Sequence, residues 1–178
     1  MNELNELQTA LSDARWVYWY QHVFLSWQWL LLLLFTAVLT LVWVMAVDRI
    51  RLLAIVFFGS CIFIASLIAD SLGGELQLWD YPSMLLPWGP RIICIDWSIA
   101  IFSMMIYQLF TNWLLFLGAA ICLSAFFSFI LEPLASVWDI YQLYAWEYLY
   151  SFPIYILLFL LVKAITDKIA AVQKQHSH

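Results

Sequence analysis

Apolar residues in this chain gather into long unbroken runs, separated by short polar or aromatic stretches. The runs lie at about 24–47, 52–69, 91–110, 112–131 and 152–165. Most approach the ~20 residues that a helix needs to cross the hydrocarbon core of a bilayer. They do not alternate apolar with polar, which argues against a transmembrane barrel. An open sheet would leave its edge groups unsatisfied in lipid. The pattern therefore predicts an all-α membrane protein, a five-transmembrane-helix bundle forming one integral membrane domain over residues 1–178. Outer loops are expected at 70–90 and 132–151.

The third and fourth runs make a hairpin, joined by a minimal turn near Thr111 and Asn112. Counted from that turn, Arg91 and Glu132 reach the same height on antiparallel helices. Asp96 then lies about 7–8 Å deeper than Arg91, at roughly 1.5 Å per residue. Asp96, Ala100, Ser103 and Tyr107 share one helical face, while Ser124, Ser128 and Glu132 form a polar stripe on the other arm. An ionisable group inside a spanning helix is a functional candidate by default. The plainer reading has Arg91 and Glu132 clamp the hairpin while the serines satisfy Asp96, since polar side chains also hold membrane helices together.

Outside the runs, Leu4, Leu7 and Leu11 stand at helical spacing and predict a short amphipathic helix outside the membrane. The segment lacks the basic leader and cleavage site of a secretory signal. The loop at 71–90 is punctuated by Gly73-Gly74, Pro82, Pro87 and Gly89-Pro90, yet it is apolar and aromatic. It is expected to fold back onto the bundle's outer mouth or to re-enter the membrane, where only protein can bury its backbone. Leu134, Val137, Trp138, Tyr141, Ala145 and Tyr148 share a helical face and predict a helix lying in the outer interface. Ser151 reads as the N-cap of the last spanning helix, with Pro153 in its first turn.

Composition sharpens this picture. With 66% hydrophobic and 11% charged residues, the chain departs far from soluble proteins, where charged residues are about 25%. Its net charge of −5 offers no basic patch for nucleic acid. Arg49, Arg51, Lys163, Lys168 and Lys174 fall on one side of a five-span layout, and Arg15 and Arg91 on the other. Basic residues gather on the cytoplasmic side, so the N-terminus is expected outside and the C-terminus in the cytoplasm. That makes a multi-pass protein of the cell (cytoplasmic) membrane, with the lipid bilayer as its first partner. The cysteines, Cys61, Cys94 and Cys122, fall one per run and read as packing residues.

The chain carries no GxGxxG, P-loop, HExxH, GxSxG or paired CxxC, so no cofactor, metal site or catalytic residue is expected. What remains is an acidic, aromatic outer face. Its candidate ligand-binding residues are Asp96, Glu132, Arg91, Ser103, Tyr107, Ser128, Asp70 and Trp88. Carboxylates suit hard cations, and aromatic faces beside carboxylates suit organic cations. The leading expectation is a non-enzymatic protein that binds a small molecule, lipid or cation at this mouth, within a transport or sensing assembly. One alternative is an intramembrane enzyme acting on a lipid or isoprenoid, with Asp96 and Glu132 as acid and base. Another is a structural subunit of a membrane complex, since Gly118, Ala119, Ala120 and Ser124 would let a partner helix approach closely.

The words LWDYPSMLLP, MMIYQLFTNW and SAFFSFILEPLASVWDIYQLYAWEYLYSFPIYILL also carry a resemblance. Over about half of its length the chain resembles an uncharacterised family of small multi-span membrane proteins from spore-forming bacteria of the Bacillus and Clostridium type. The most specific pieces are Tyr107-Gln108, Glu132-Pro133 and Tyr150-Ser151-Phe152-Pro153. The resemblance implies a bacterial cytoplasmic membrane and brings no activity, substrate or site residue. Where such relatives often carry a basic residue after Gln108, this chain has Leu-Phe-Thr-Asn-Trp.

Overall fold

Helix-terminating chemistry divides the apolar runs into elements. The computed structural model describes residues 2–87 and 93–176, apart from the side chains of 93 and 173–176. In chain order, α1 (Asn2–Tyr18) leads through a π turn (Trp19–Val23) to α2 (Trp27–Ala46) and α3 (Leu52–Glu75). Strand β1 (Trp79–Asp80) precedes α4 (Ile93–Leu109) and α5 (Trp113–Phe126). A second π turn (Phe127–Leu131) carries α5 into α6 (Glu132–Val137), and β2 (Gln142–Leu143) and α7 (Tyr148–His176) follow. Four stretches are long and apolar enough to cross a membrane, namely Trp27–Ala46, Leu52–Glu75, Trp113–Val137 and Tyr148–Val172, and α4 is a shorter apolar helix.

The central hairpin forms as expected. Asn112 caps α5, its side-chain oxygen accepting from the N–H groups of Leu114 at 2.8 Å and Leu115 at 3.3 Å. Ser26 caps α2 in the same manner, accepting from Trp29 N–H at 3.2 Å. The π turn before α6 has a local cause. Pro133 has no N–H to complete the α-helical ladder, and the Glu132 N–H bonds back to the Phe127 carbonyl, one residue further than in an α-helix.

Packing fixes the directions of the helices. Phe58 stacks on Tyr107 at 4.4 Å, and Gly59 leaves the space that the Met104 side chain fills, so α3 and α4 run antiparallel in close contact. Tyr107 meets Phe116 at 6.4 Å and Phe102 meets Phe127 at 5.8 Å, which sets α4 antiparallel to α5. The Trp97 indole donates to Thr40 at 2.8 Å, and Gln108 accepts from Asp48 N–H while donating to the Ala46 carbonyl. Helix α2 therefore lies parallel to α4. Phe159 of α7 completes the core beside Phe127.

At the end of the bundle where α3 finishes, the structure departs from the sequence reading. No helix spans the apolar face between Leu134 and Tyr148. Helix α6 stops at Val137 because Asp139 takes a left-handed conformation, φ 54°. The Ile140 N–H bonds Ala135 O at 2.9 Å and the Asp139 N–H bonds Ser136 O at 3.2 Å, the paired closure of a Schellman cap. Helix α3 ends identically, with Gln77 at φ 55°, Leu78 N–H on Gly73 O and Gln77 N–H on Gly74 O. The two caps aim their following residues at each other, and these pair as antiparallel strands with Trp79 opposite Leu143 and Asp80 opposite Gln142. This ladder is a lid over one end of the bundle. The start of α7 is also earlier than expected: Ser151 lies inside the helix and caps nothing.

The opposite end is held by one buried cation. Lys163 pairs with Asp167 at 2.9 Å. Its ammonium sits 5.0, 5.0 and 4.9 Å from the ring centres of Tyr107, Trp113 and Phe116, one ring from α4 and two from α5. The Tyr107 hydroxyl closes the set by donating to Asp167 at 3.0 Å.

Candidate binding site beneath the lid

The lid is anchored by a carboxylate. Gly73 lets the Trp79 ring lie directly on α3, since a Cβ there would overlap it. The Trp79 indole then donates to Asp70 Oδ1 at 3.1 Å, and the Tyr81 hydroxyl donates to the same oxygen at 3.1 Å. Across from these donors, the Asp96 carboxyl on α4 lies within hydrogen-bonding reach of Asp70. Asp96 is 1% exposed, and neither of its oxygens accepts from an N–H or O–H of the described residues.

A third carboxylate joins them. Glu132 begins α6 just past the π turn, where it accepts from the Ser151 hydroxyl at 3.0 Å and from Tyr155. Ser151 in turn receives the Trp146 indole at 3.0 Å, and Trp146 meets Trp79 edge-on at 4.9 Å. Helices α3, α6 and α7 and the lid are thereby linked around a single space. That space is a cavity of about 560 Å³ whose wall contains Asp70, Asp96 and Glu132. Tyr81 and Tyr141, 5.0 Å apart, roof it. Burial, with the carboxylates Asp70 and Glu132 nearby, pushes both of these phenols above the usual tyrosine range, so they remain neutral hydroxyls.

Apart from the hydroxyls of Ser66, Ser98 and Ser151, the rest of the wall is apolar or aromatic, and among the described residues no Lys, Arg or His lines it. Leu72, Leu76 and Ile154 belong to the wall yet are 57%, 66% and 46% exposed, so the cavity opens along that flank. A concave, mostly apolar space with a few convergent polar groups is the usual form of a small-molecule site. No cluster of three or more His, Cys, Asp and Glu side chains able to hold a metal occurs among the described residues.

The residues singled out from sequence divide into separate places. Asp70, Asp96 and Glu132 meet in the cavity. Ser128 is fully buried beside Glu132's turn, its hydroxyl without a partner among the described residues. The serines do not satisfy Asp96, because Asp96 faces Asp70 on α3 while Glu132 is taken up by α7. Ser103 is spent on its own helix, donating to Ala100 O at 2.8 Å. Tyr107 belongs to the lysine clamp at the opposite end. Trp88 and Arg91 lie outside the described residues, and with Arg91 so does the expected clamp to Glu132. The sequence reading missed the roles of Trp79, Tyr81, Ser151 and Tyr155. Only the aromatic-acidic mixture of the two loops hinted at them.

Comparison with protein-family models, curated proteins and solved structures finds no match for this chain.

Proposed function

We propose that this protein is a small polytopic membrane protein whose cavity binds lipophilic organic cations, serving a transport or sensing assembly. One observation carries the reading: three carboxyl groups share the wall of a mostly apolar, aromatic cavity that no basic side chain among the described residues enters. Buried carboxylates without a protein cation call for a positive partner. Aromatic walls favour an organic cation over a hydrated metal ion, through cation–π attraction and burial of its apolar substituents. The flank opened by Leu72, Leu76 and Ile154 suits a ligand that arrives from lipid.

Five crossings and the orientation belong to the same reading. Helix α4, 17 residues long, spans about 25 Å at 1.5 Å per residue. It lies between α3 and α5 along its length, which supports counting it as a crossing. Arg49, Arg51, Lys163 and Lys168 then share the end away from the lid. That supports a lid facing outward and a C-terminus in the cytoplasm, and the resemblance to small multi-span proteins favours a bacterial cell membrane.

The test is binding of tetraphenylphosphonium to the purified protein in neutral maltoside micelles, followed through quenching of tryptophan fluorescence. Saturable binding is expected, weakened at least about tenfold in Glu132→Gln, the loss of roughly one charged contact. Wild type that shows no saturable binding, or binding untouched by neutralising all three carboxylates, would overturn the reading.

A further inference from the structure

We propose that Asp70 and Asp96 share one proton until a cation enters the cavity, and that the cation displaces it, so that the site exchanges one proton for one cation. This rests on the cation-binding reading above. The geometry sorts the two acids. Asp70 accepts two hydrogen bonds, from Trp79 and Tyr81, and these hold a negative charge on it. Asp96 accepts none, is buried, and faces Asp70. Two ionised carboxylates in such contact repel without compensation, and they bond to each other only when one carries a proton. The proton therefore resides on Asp96 and is donated to Asp70.

Among the described residues, the surroundings offer the pair no side chain of positive charge. From α3 the flanking polar group is Ser66, and from α4 itself Ser98, which bonds Cys94 O, together with the Cys94 thiol. From α6 comes Glu132, a third carboxyl group, and from α7 the Tyr155 hydroxyl beside it. The loops contribute the neutral phenols of Tyr81 and Tyr141. From α2 only the apolar Leu31, Leu32 and Phe35 reach the cavity. A bound cation changes this balance directly. The O–H bond of Asp96 breaks, its electron pair stays on the carboxylate, and the proton passes to water. The pair then presents two negative charges to one positive ligand, so the charge of the site with its occupant is unchanged by the exchange.

The experiment is calorimetric titration of the full chain in maltoside micelles at pH 7 with tetraphenylphosphonium, which carries no proton of its own. Repeating it in two buffers of different ionisation enthalpy gives the protons released per cation bound. Release of about one proton per cation is expected. In Asp96→Asn, cation that still binds should release far less. Binding by wild type without proton release would overturn the exchange and leave the cation site standing. Equal release by Asp96→Asn and wild type would also overturn it. No binding by wild type removes the cation reading itself and the exchange with it. The wild-type proton count decides the matter even if this variant does not fold.

Discussion

Gly73→Ala should damage the lid through a single methyl group. A Cβ at this position overlaps three atoms of the Trp79 ring, and the helix backbone behind it leaves no room to retreat. The ring has to swing away, which breaks its 3.1 Å bond to Asp70 and its edge contact with Trp146. Overpacking costs about 1–3 kcal/mol, and the lost bond to a charged acceptor about 1.5–3 kcal/mol. Against this stands the helical preference of alanine over glycine, worth about 0.5–1 kcal/mol. The net loss is about 2–5 kcal/mol, and each kcal/mol lowers Tm by roughly 2–4 °C in a chain of this size. Thermal unfolding in maltoside micelles should therefore fall by at least about 4 °C. Gly118→Ala is the matched control, because a Cβ there meets nothing within 4 Å. It should be neutral or slightly stabilising. A Gly73→Ala protein as stable as wild type would refute the close packing of Trp79 on α3. A Gly118→Ala protein that loses stability would instead mean that a partner helix packs against that face.

Further predictions follow from the opposite end and from the roof. Lys163→Met should cost about 2–5 kcal/mol, because it strips Asp167 of its cation and empties a cage of three rings, and thermal unfolding will measure this. Tyr107→Phe should cost less, about 1 kcal/mol, since the ring stays and only its bond to Asp167 is lost. The folded chain holds the Tyr81 and Tyr141 protons above the usual phenol range. The unfolded chain releases them above about pH 10, so stability from this source is intact below that pH and declines as pH rises past it. A pH series of unfolding midpoints should show the decline, and Tyr141→Phe should make it shallower.

The four helices long and apolar enough to cross a membrane were legible because each is a continuous apolar run, and the hairpin was legible because Asn112 is both a turn residue and a helix cap. Asp96 and Glu132 stood out as charges amid apolar residues. The partner of Asp96 did not, since Asp70 reaches it only through the antiparallel packing of α3 on α4 that Gly59 and Phe58 set. The lid was hidden for a different reason. Gln77 and Asp139 adopt left-handed conformations that glycine ordinarily supplies, so neither helix end was marked, and the face from Leu134 to Tyr148 imitated a helix. Two-residue strands pairing from distant loops leave no periodicity to read. In the sequence Lys163 stood only as one of the basic residues on the cytoplasmic side, although Asp167 one turn later was the available sign of its pairing.

A crystal structure of the protein grown with tetraphenylarsonium would locate the bound cation itself, through the anomalous scattering of arsenic. An arsenic peak is expected inside the cavity, within the triangle of Asp70, Asp96 and Glu132 and beneath Trp79 and Tyr81. A cavity without the peak at saturating ligand, or a peak only on the lipid-facing surface, would contradict the cation-binding reading.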